Sequence, residues 1–512
     1  MSLKQRRFIL CALVLAVGML TANVPAAVSQ DAAQSENMEI LFSSQNPTMA
    51  TNSDLAFWGD LAYAGNYGGF RIFDISDPSD PSLVSNMSCF GPQGDVSVWD
   101  TDGNGDADVL FSSVDSTLSG PECGATSVPS TTPTGWEGIR IFDISDPANP
   151  SQIGAVYQDC GSHTHTLYPD EERDRLLILN ASYPLSSGPT CGQTTGPPAG
   201  RDPLHGVVQV IEVPMDDPAA AAELTELPIN YPGDPDNKFI WGEHGLTGQE
   251  PAARACHDIA VHMGEMLVAA ACAEQAQMWR LDPDTMLPDT ADPLWVYDNP
   301  FDENGATGDP NDPHTAIDFW HSATFSWDGT IVNYSDESFA GFDPQAPQAC
   351  PPISRKINTE TGELIQLADT GRTYFLRART GRFLSQFMID RPDETAYCST
   401  HQGNSVPMPG RKLLIQAWYE GGVNIIDFTA PKNPREIAYF DFAGAGTEGS
   451  DNWAHYWYEQ DTTSGAPLIT YGQDGHSGHG RGFEVFSSTA AMGRRIGLDH
   501  LNPQTQEVVM RP

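Results

Sequence analysis

The sequence predicts an all-β fold of repeated four-stranded units closed into a ring, and three observations predict it. The phrase RIFDISDP stands at Arg71–Pro78 and returns, letter for letter, at Arg140–Pro147. Each copy follows a glycine and one apolar residue and leads to a second proline, Pro81 or Pro150. Short runs rich in β-branched and aromatic residues alternate along the chain with Gly, Asn, Asp and Pro, the residues that turns select. Finally, MEILFSSQ (38–45) is a strand with no unit of its own, while the last unit lacks a fourth strand.

The first unit sets the pattern. From Asp54 to Met87 it parses as LAFW, LAYAG, FRIFDI and SLVSNM, with DISDPxxP turning the chain between the third and fourth strands. Proline fixes the backbone angle there and ends strand pairing. Unit two repeats the order with DVSVW, ADVLFSS, GIRIFDI and SQIGAVY, and unit three with HTLYPD, RLLILNA, GVVQVIEVP and an ill-defined fourth strand. HDIAVH, EMLVAAAC, QMWRLDP and PLWVYD form unit four; HSATFSWDG, TIVNYSD, RTYFLRA and GRFLSQF form unit five. Unit six has HQGNSVPMPG, KLLIQAWYE, GVNIIDFTAPKNP and EIAYFDF. Unit seven stops after HYWYEQ, PLITYGQD and RGFEVFSS, so residues 38–45 should complete it and remove the exposed sheet edge. Seven such units closed by an N-terminal strand make a seven-bladed β-propeller. Two β-sandwiches would leave seven similar units unexplained.

GFRIFDISDPSDP, GIRIFDISDPANP and GVNIIDFTAPKNP resemble LVIVD repeats. The resemblance is close in units one, two and six and loose elsewhere. It implies a secreted or surface β-propeller and no settled activity.

Composition agrees with export. Residues 1–29 read as a signal peptide, with Lys4, Arg6 and Arg7 before an apolar run and small residues at Ala27–Ser29. The propeller is expected over 38–490 and a C-terminal tail over 491–512. After cleavage no membrane span is expected, and the protein should be monomeric in a secreted, cell-surface or periplasmic setting. The formal charge of −42 repels phosphate backbones, which excludes nucleic acid as a partner. Beyond Cys11, eight cysteines remain, an even number suited to an oxidising compartment. Their places in the units pair Cys89 with Cys123, Cys160 with Cys191 and Cys256 with Cys272, leaving Cys350 for Cys398.

Aligning the first strands brings Asp54, Asp95, His165, His257, His321, His401 and His455 to one position. In a propeller that strand lines the channel, and its start lies at the mouth beside the 4–1 and 2–3 loops. Five imidazoles and two carboxylates around one axis need a common partner, and Zn, Cu, Fe or Mn would provide one. A structural hydrogen-bonded ring and an anion held by protonated histidines are the other readings. His163 would be a further ligand or an outer group, and His476 and His479 lie on a flexible loop nearby. In unit two, Asp100, Asp102, Asn104, Asp106 and Asp108 alternate in DTDGNGDAD, a spacing suited to a structural calcium ion on the opposite face. No nucleophile elbow, phosphate-binding loop or dinucleotide fingerprint occurs. The leading expectation is therefore an exported binding or adhesion module whose partner is an extracellular protein, glycan or small molecule. The alternative is a metal-dependent enzyme using the ring, with oxidative chemistry by analogy to histidine-lined propellers such as methanethiol oxidase.

Overall fold

The structure is a computed structural model. It describes residues 33–44, 46, 50–125, 135–182, 205–232, 255–272, 275–298, 317–338, 349–357, 364–368, 370–391, 396–442, 449–460, 462, 465–475 and 481–510. The expected signal peptide, Cys191, His476 and His479 lie outside them.

Seven antiparallel sheets follow one another as the blades of a propeller, six with four core strands in sequence order and the seventh with three such strands and one from the N-terminal segment. The inner strands are Asn52–Trp58, Gln93–Trp99, Thr164–Asp170, Cys256–His262, Trp320–Phe325, Gly403–Val406 and Asn452–Trp457. All but the last are buried along their whole length, because each is packed on both faces between neighbouring blades. The outer strand Ser82–Ser88, by contrast, is largely open to solvent. Apolar side chains fill the gaps between blades. Tyr63, Phe70 and Ile72 of blade 1 meet Val98, Leu110 and Phe111 of blade 2, and Trp320 packs against Tyr334 and Tyr374. Removing each such side chain from water contributes about 1.5–3 kcal/mol, so the ring is held chiefly blade to blade.

The repeated phrase has a local physical cause. Gly69 and Gly138 open the third strands with φ of +136° and +143°, and a Cβ on either would stand 2.1 Å from a carbonyl oxygen of the adjacent outer strand. Only glycine fits there. Asp74, Asp143 and Asp427 then accept the backbone N–H two residues on, each at 2.9 Å, and so start the turn into the fourth strand. The buried Arg140 donates to the carbonyls of Cys89, Phe90 and Gly120, tying together the loops at one end of blade 2.

Met38–Ser43 pairs antiparallel with Phe483–Ser488, as the missing fourth strand predicted. Upstream, Ala33–Gln34 continues onto the outer strand of blade 6, Arg435–Asp441, so the N-terminal segment staples two blades. Blade 3 has a full fourth strand, Ala222–Pro228. Blade 5 inserts a hairpin, Ile353–Ile357 with Leu364–Ala368. Disulfides join Cys89 to Cys123, Cys256 to Cys272 and Cys350 to Cys398, as expected. Cys160 is disulfide-bonded as well.

The segment read as a tail does not hang free. His500–Leu501 pairs with the inner strand of blade 1, and Thr505–Gln506 runs parallel to that of blade 4. Among the described residues no helix is long and apolar enough to cross a membrane.

Candidate functional site

The inner strands do not all start in the same register, and this decides which aligned residues meet. Pairing with the second strand slips at Cys256/Asp258, at Trp320/Ser322 and at Asn452/Ala454. His257, His321 and Trp453 are therefore the extra residues of β-bulges, a device that re-aims a side chain. The inner strand of blade 3 is regular, with Thr164 paired to Ala181 and His165 to Asn180.

Four imidazoles come together as a result. The ring centroids of His257 and His321 are 4.0 Å apart, those of His321 and His401 4.1 Å, and those of His163 and His257 4.3 Å. His163, not His165, is thus the blade 3 member. His165 lies two residues deeper, with Ser97 Oγ 2.6 Å from its Nε2 and Ser113 Oγ 2.8 Å from its Nδ1. His455 is likewise deeper, bonded to Thr470 Oγ1 at 2.7 Å, because Trp453 takes the mouth position of blade 7. Asp95 accepts the N–H of His165 just as Asp258 accepts that of Ala323. Asp95 is therefore equivalent to the residue after His257, on the other side of its strand. Asp54 lies beside Asp95 and accepts Tyr456 Oη–H at 2.5 Å and Gln504 Nε2–H at 2.9 Å. Burial and the charge of Asp95 hold the Asp54 carboxyl well above the usual range.

Glu337 completes the group. It follows the second strand of blade 5, Ile331–Asp336, where nothing in the sequence marks it. One carboxylate oxygen is 3.6 Å from His321 Nε2, and the other is 4.0 Å from His401 Nε2. The second oxygen also accepts Tyr419 Oη–H at 2.5 Å. Ligand atoms of His257, His321 and Glu337 all lie within 4.8 Å of one another. His257 Nδ1 bonds the carbonyl of His321 at 3.0 Å, and His401 Nδ1 that of Trp453 at 2.5 Å. A carbonyl only accepts, so Nδ1 carries the proton in both and Nε2 is the lone-pair nitrogen. His321 Nε2 is buried and makes no hydrogen bond. Burial keeps these rings neutral: it pushes His257 and His321 well below the usual histidine range and His401 down to about 3. The same burial raises Glu337 to about 7. Beside them, His163 Nδ1 lies 2.8 Å from a carboxylate oxygen of Asp115.

Lone-pair nitrogens fixed by hydrogen bonds at their other ring nitrogen, together with one carboxylate, are the donor set of a transition-metal site. A second group, Asp159, Cys160 and His205, does not qualify, since Cys160 is in a disulfide and His205 Nε2 bonds Ser182 Oγ at 2.6 Å. The loop expected to hold calcium joins the first two strands of blade 2, away from the histidines. There Asp100 accepts the N–H groups of Gly103 and Gly105, both at 2.7 Å, and Asp108 the N–H and the hydroxyl of Thr101. Asp102 and Asn104 likewise accept amides of the same loop, and Asp106 is exposed.

The match to a repeat family agrees with the fold. Residues 51–88 and 134–157 match the LVIVD repeat family. No curated protein matches the chain in sequence. A provisionally assigned 6-phosphogluconolactonase from Bacteroides uniformis is similar in structure at 10% identity and a TM-score of 0.45, covering 86% of this chain and 93% of its own. The periplasmic gluconolactonase of Pseudomonas aeruginosa is similar at 12% identity and a TM-score of 0.42, covering 88% of this chain and 100% of its own. The segments matched in sequence are the third-strand phrases and their surroundings in blades 1 and 2, where glycine and aspartate do the structural work described above. This chain is a seven-bladed β-propeller that carries LVIVD repeats.

Proposed function

We propose that the protein is exported and holds a transition-metal ion at the channel mouth through His257, His321, His401 and Glu337, working as a metal-dependent enzyme on a small molecule. The observation that carries this is the convergence of three neutral imidazoles on one carboxylate, with His321 Nε2 left unbonded in the interior. A buried polar atom without a partner is costly, and a metal ion would satisfy all four donors at once. Depth argues against adhesion, the first reading of the sequence. His257, His321 and Glu337 are 5%, 0% and 6% exposed, within reach of an ion or a small molecule but not of a protein or glycan surface. When bound, the ion supplies Lewis acidity or, if it is Cu, Fe or Mn, electron transfer. His163, oriented by Asp115, stands beside it to take part in binding or in moving a proton. Calcium at Asp100–Asp108 is a separate, structural expectation.

Elemental analysis of protein purified through its native export route tests both. We expect about one transition-metal ion per chain. His257→Ala and His321→Ala should each lower its occupancy at least about tenfold while the propeller stays folded. Alanine at His262, at the far end of the same strand as His257, should leave it unchanged. Full occupancy in both mouth variants would refute the centre. Calcium found in all of these samples would support the loop site.

A further inference from the structure

The inner strand of every blade has one edge facing the channel, and its N–H and C=O groups there need partners. At the mouth the bulged histidines occupy that space. At the opposite end, the base, the C-terminal segment does. His500 stacks on Trp58 of blade 1 at 4.3 Å, with 16° between the rings. Asn502 takes both groups of Val98 in blade 2, accepting its N–H at 2.9 Å and donating to its carbonyl at 3.0 Å. Thr505 Oγ1 donates to the Leu167 carbonyl of blade 3 at 2.7 Å, and the Gln504 carbonyl accepts Val261 N–H of blade 4 at 2.8 Å. Gln506 Nε2 donates to Phe325 of blade 5 at 2.7 Å, and Met510 N–H to Trp327 at 2.9 Å. The segment thus crosses the channel past five blades, meeting blade 1 with a ring and a short strand pairing, blades 2, 3 and 5 with a carboxamide or hydroxyl, and blade 4 with its backbone. Asn502, Gln504, Thr505 and Gln506 are all buried, and Gln504 reaches up the channel to Asp54.

We infer that residues 499–510 form a built-in plug that closes the channel at its base, making it a well entered only from the histidine mouth. A mere tail would be exposed and would not bond the inner strands of successive blades in turn. The plug also explains a sequence with no strand periodicity: LNPQTQE supplies carboxamides at Asn502, Gln504 and Gln506, each with a donor and an acceptor, rather than an apolar face.

The test is hydrogen–deuterium exchange of the full chain, a chain ending at Leu498, and a full-length variant combining Asn502→Ala, Gln504→Ala and Gln506→Ala. Peptides from Gln93–Trp99, which lose the Asn502 side-chain bonds in both altered chains, should exchange about tenfold faster in both, and Cys256–His262, which loses the Gln504 backbone carbonyl, should do so in the shortened chain. Peptides from Arg435–Asp441, an outer strand the segment does not touch, should be unchanged. If the shortened chain does not fold, the triple variant decides alone. Unchanged exchange in the inner strands would overturn the inference. So would a uniform rise that includes Arg435–Asp441, since that would make the segment a general stabiliser and not a local closure.

Discussion

The two ends of the channel are made from the same seven strands and are chemically opposite. At the mouth, bulges turn imidazoles toward one another, disulfides such as Cys89–Cys123 tie the loops, and polar atoms such as His321 Nε2 are left without protein partners. At the base, connections are short. Two residues join Trp58 to Leu61, aspartates cap their own turns, and the C-terminal segment satisfies the inner strands with carboxamides. The base is closed largely by hydrogen bonds within the protein, although both ring nitrogens of the buried His262 make none, whereas the mouth gathers imidazoles around one carboxylate.

The largest expected effect removes the comparison altogether. Deleting residues 38–45 re-exposes the edges of Phe483–Ser488 and reopens the ring, so both ends should fail together. We expect a loss of roughly 5 kcal/mol or no soluble protein, measured by denaturant melting. A truncated chain that melts like the whole would show that this strand does not hold the ring.

An intermediate effect separates the ends by pH. In His257, His321, His401 and His455 burial lowers the folded-state pKa, with His455 at about 3 against 6.5 unfolded. Below 6.5 the unfolded chain binds the additional protons, so the stability these neutral rings contribute is complete above 6.5 and lost as pH falls toward 3. Metal-free protein should therefore melt progressively lower across that window. His455→Gln, just beneath the mouth, should make that slope shallower. An acid limb of unchanged slope in this variant would place the proton uptake elsewhere.

The smallest effect belongs to the base. Asp74→Ala or Asp143→Ala removes one turn-starting hydrogen bond and should cost about 1 kcal/mol in thermal unfolding, with metal content untouched. Loss of metal from either variant would mean that the two ends are not independent.

Much of this was legible beforehand, for reasons that can be named. The repeated phrase is legible because Gly69, Asp74 and their counterparts each meet a backbone demand that few residues satisfy. The closing strand was legible by subtraction. Of the five aligned histidines, His257, His321 and His401 lie ring against ring, whereas His165 and His455 bond serine and threonine hydroxyls. A bulge adds one residue at His257, His321 and Trp453 and none at His165, and no letter in the sequence announces it. Glu337 and Asp115 were missed as partners because their roles come from contacts between blades, whereas His163 was named only as a further ligand or an outer group. The plug was missed because two-residue strands carry no periodicity.

Both ends of the chain are locks, and that has a kinetic consequence. Met38 pairs with Ser488, and Asp54 is held by Gln504, contacts that span almost the entire polypeptide. Loop closure over such separations is slow, and native topology of this kind delays the final folding step. Blades made early can form their own sheets, but the ring cannot shut until the last blade and the segment beyond it have been synthesised.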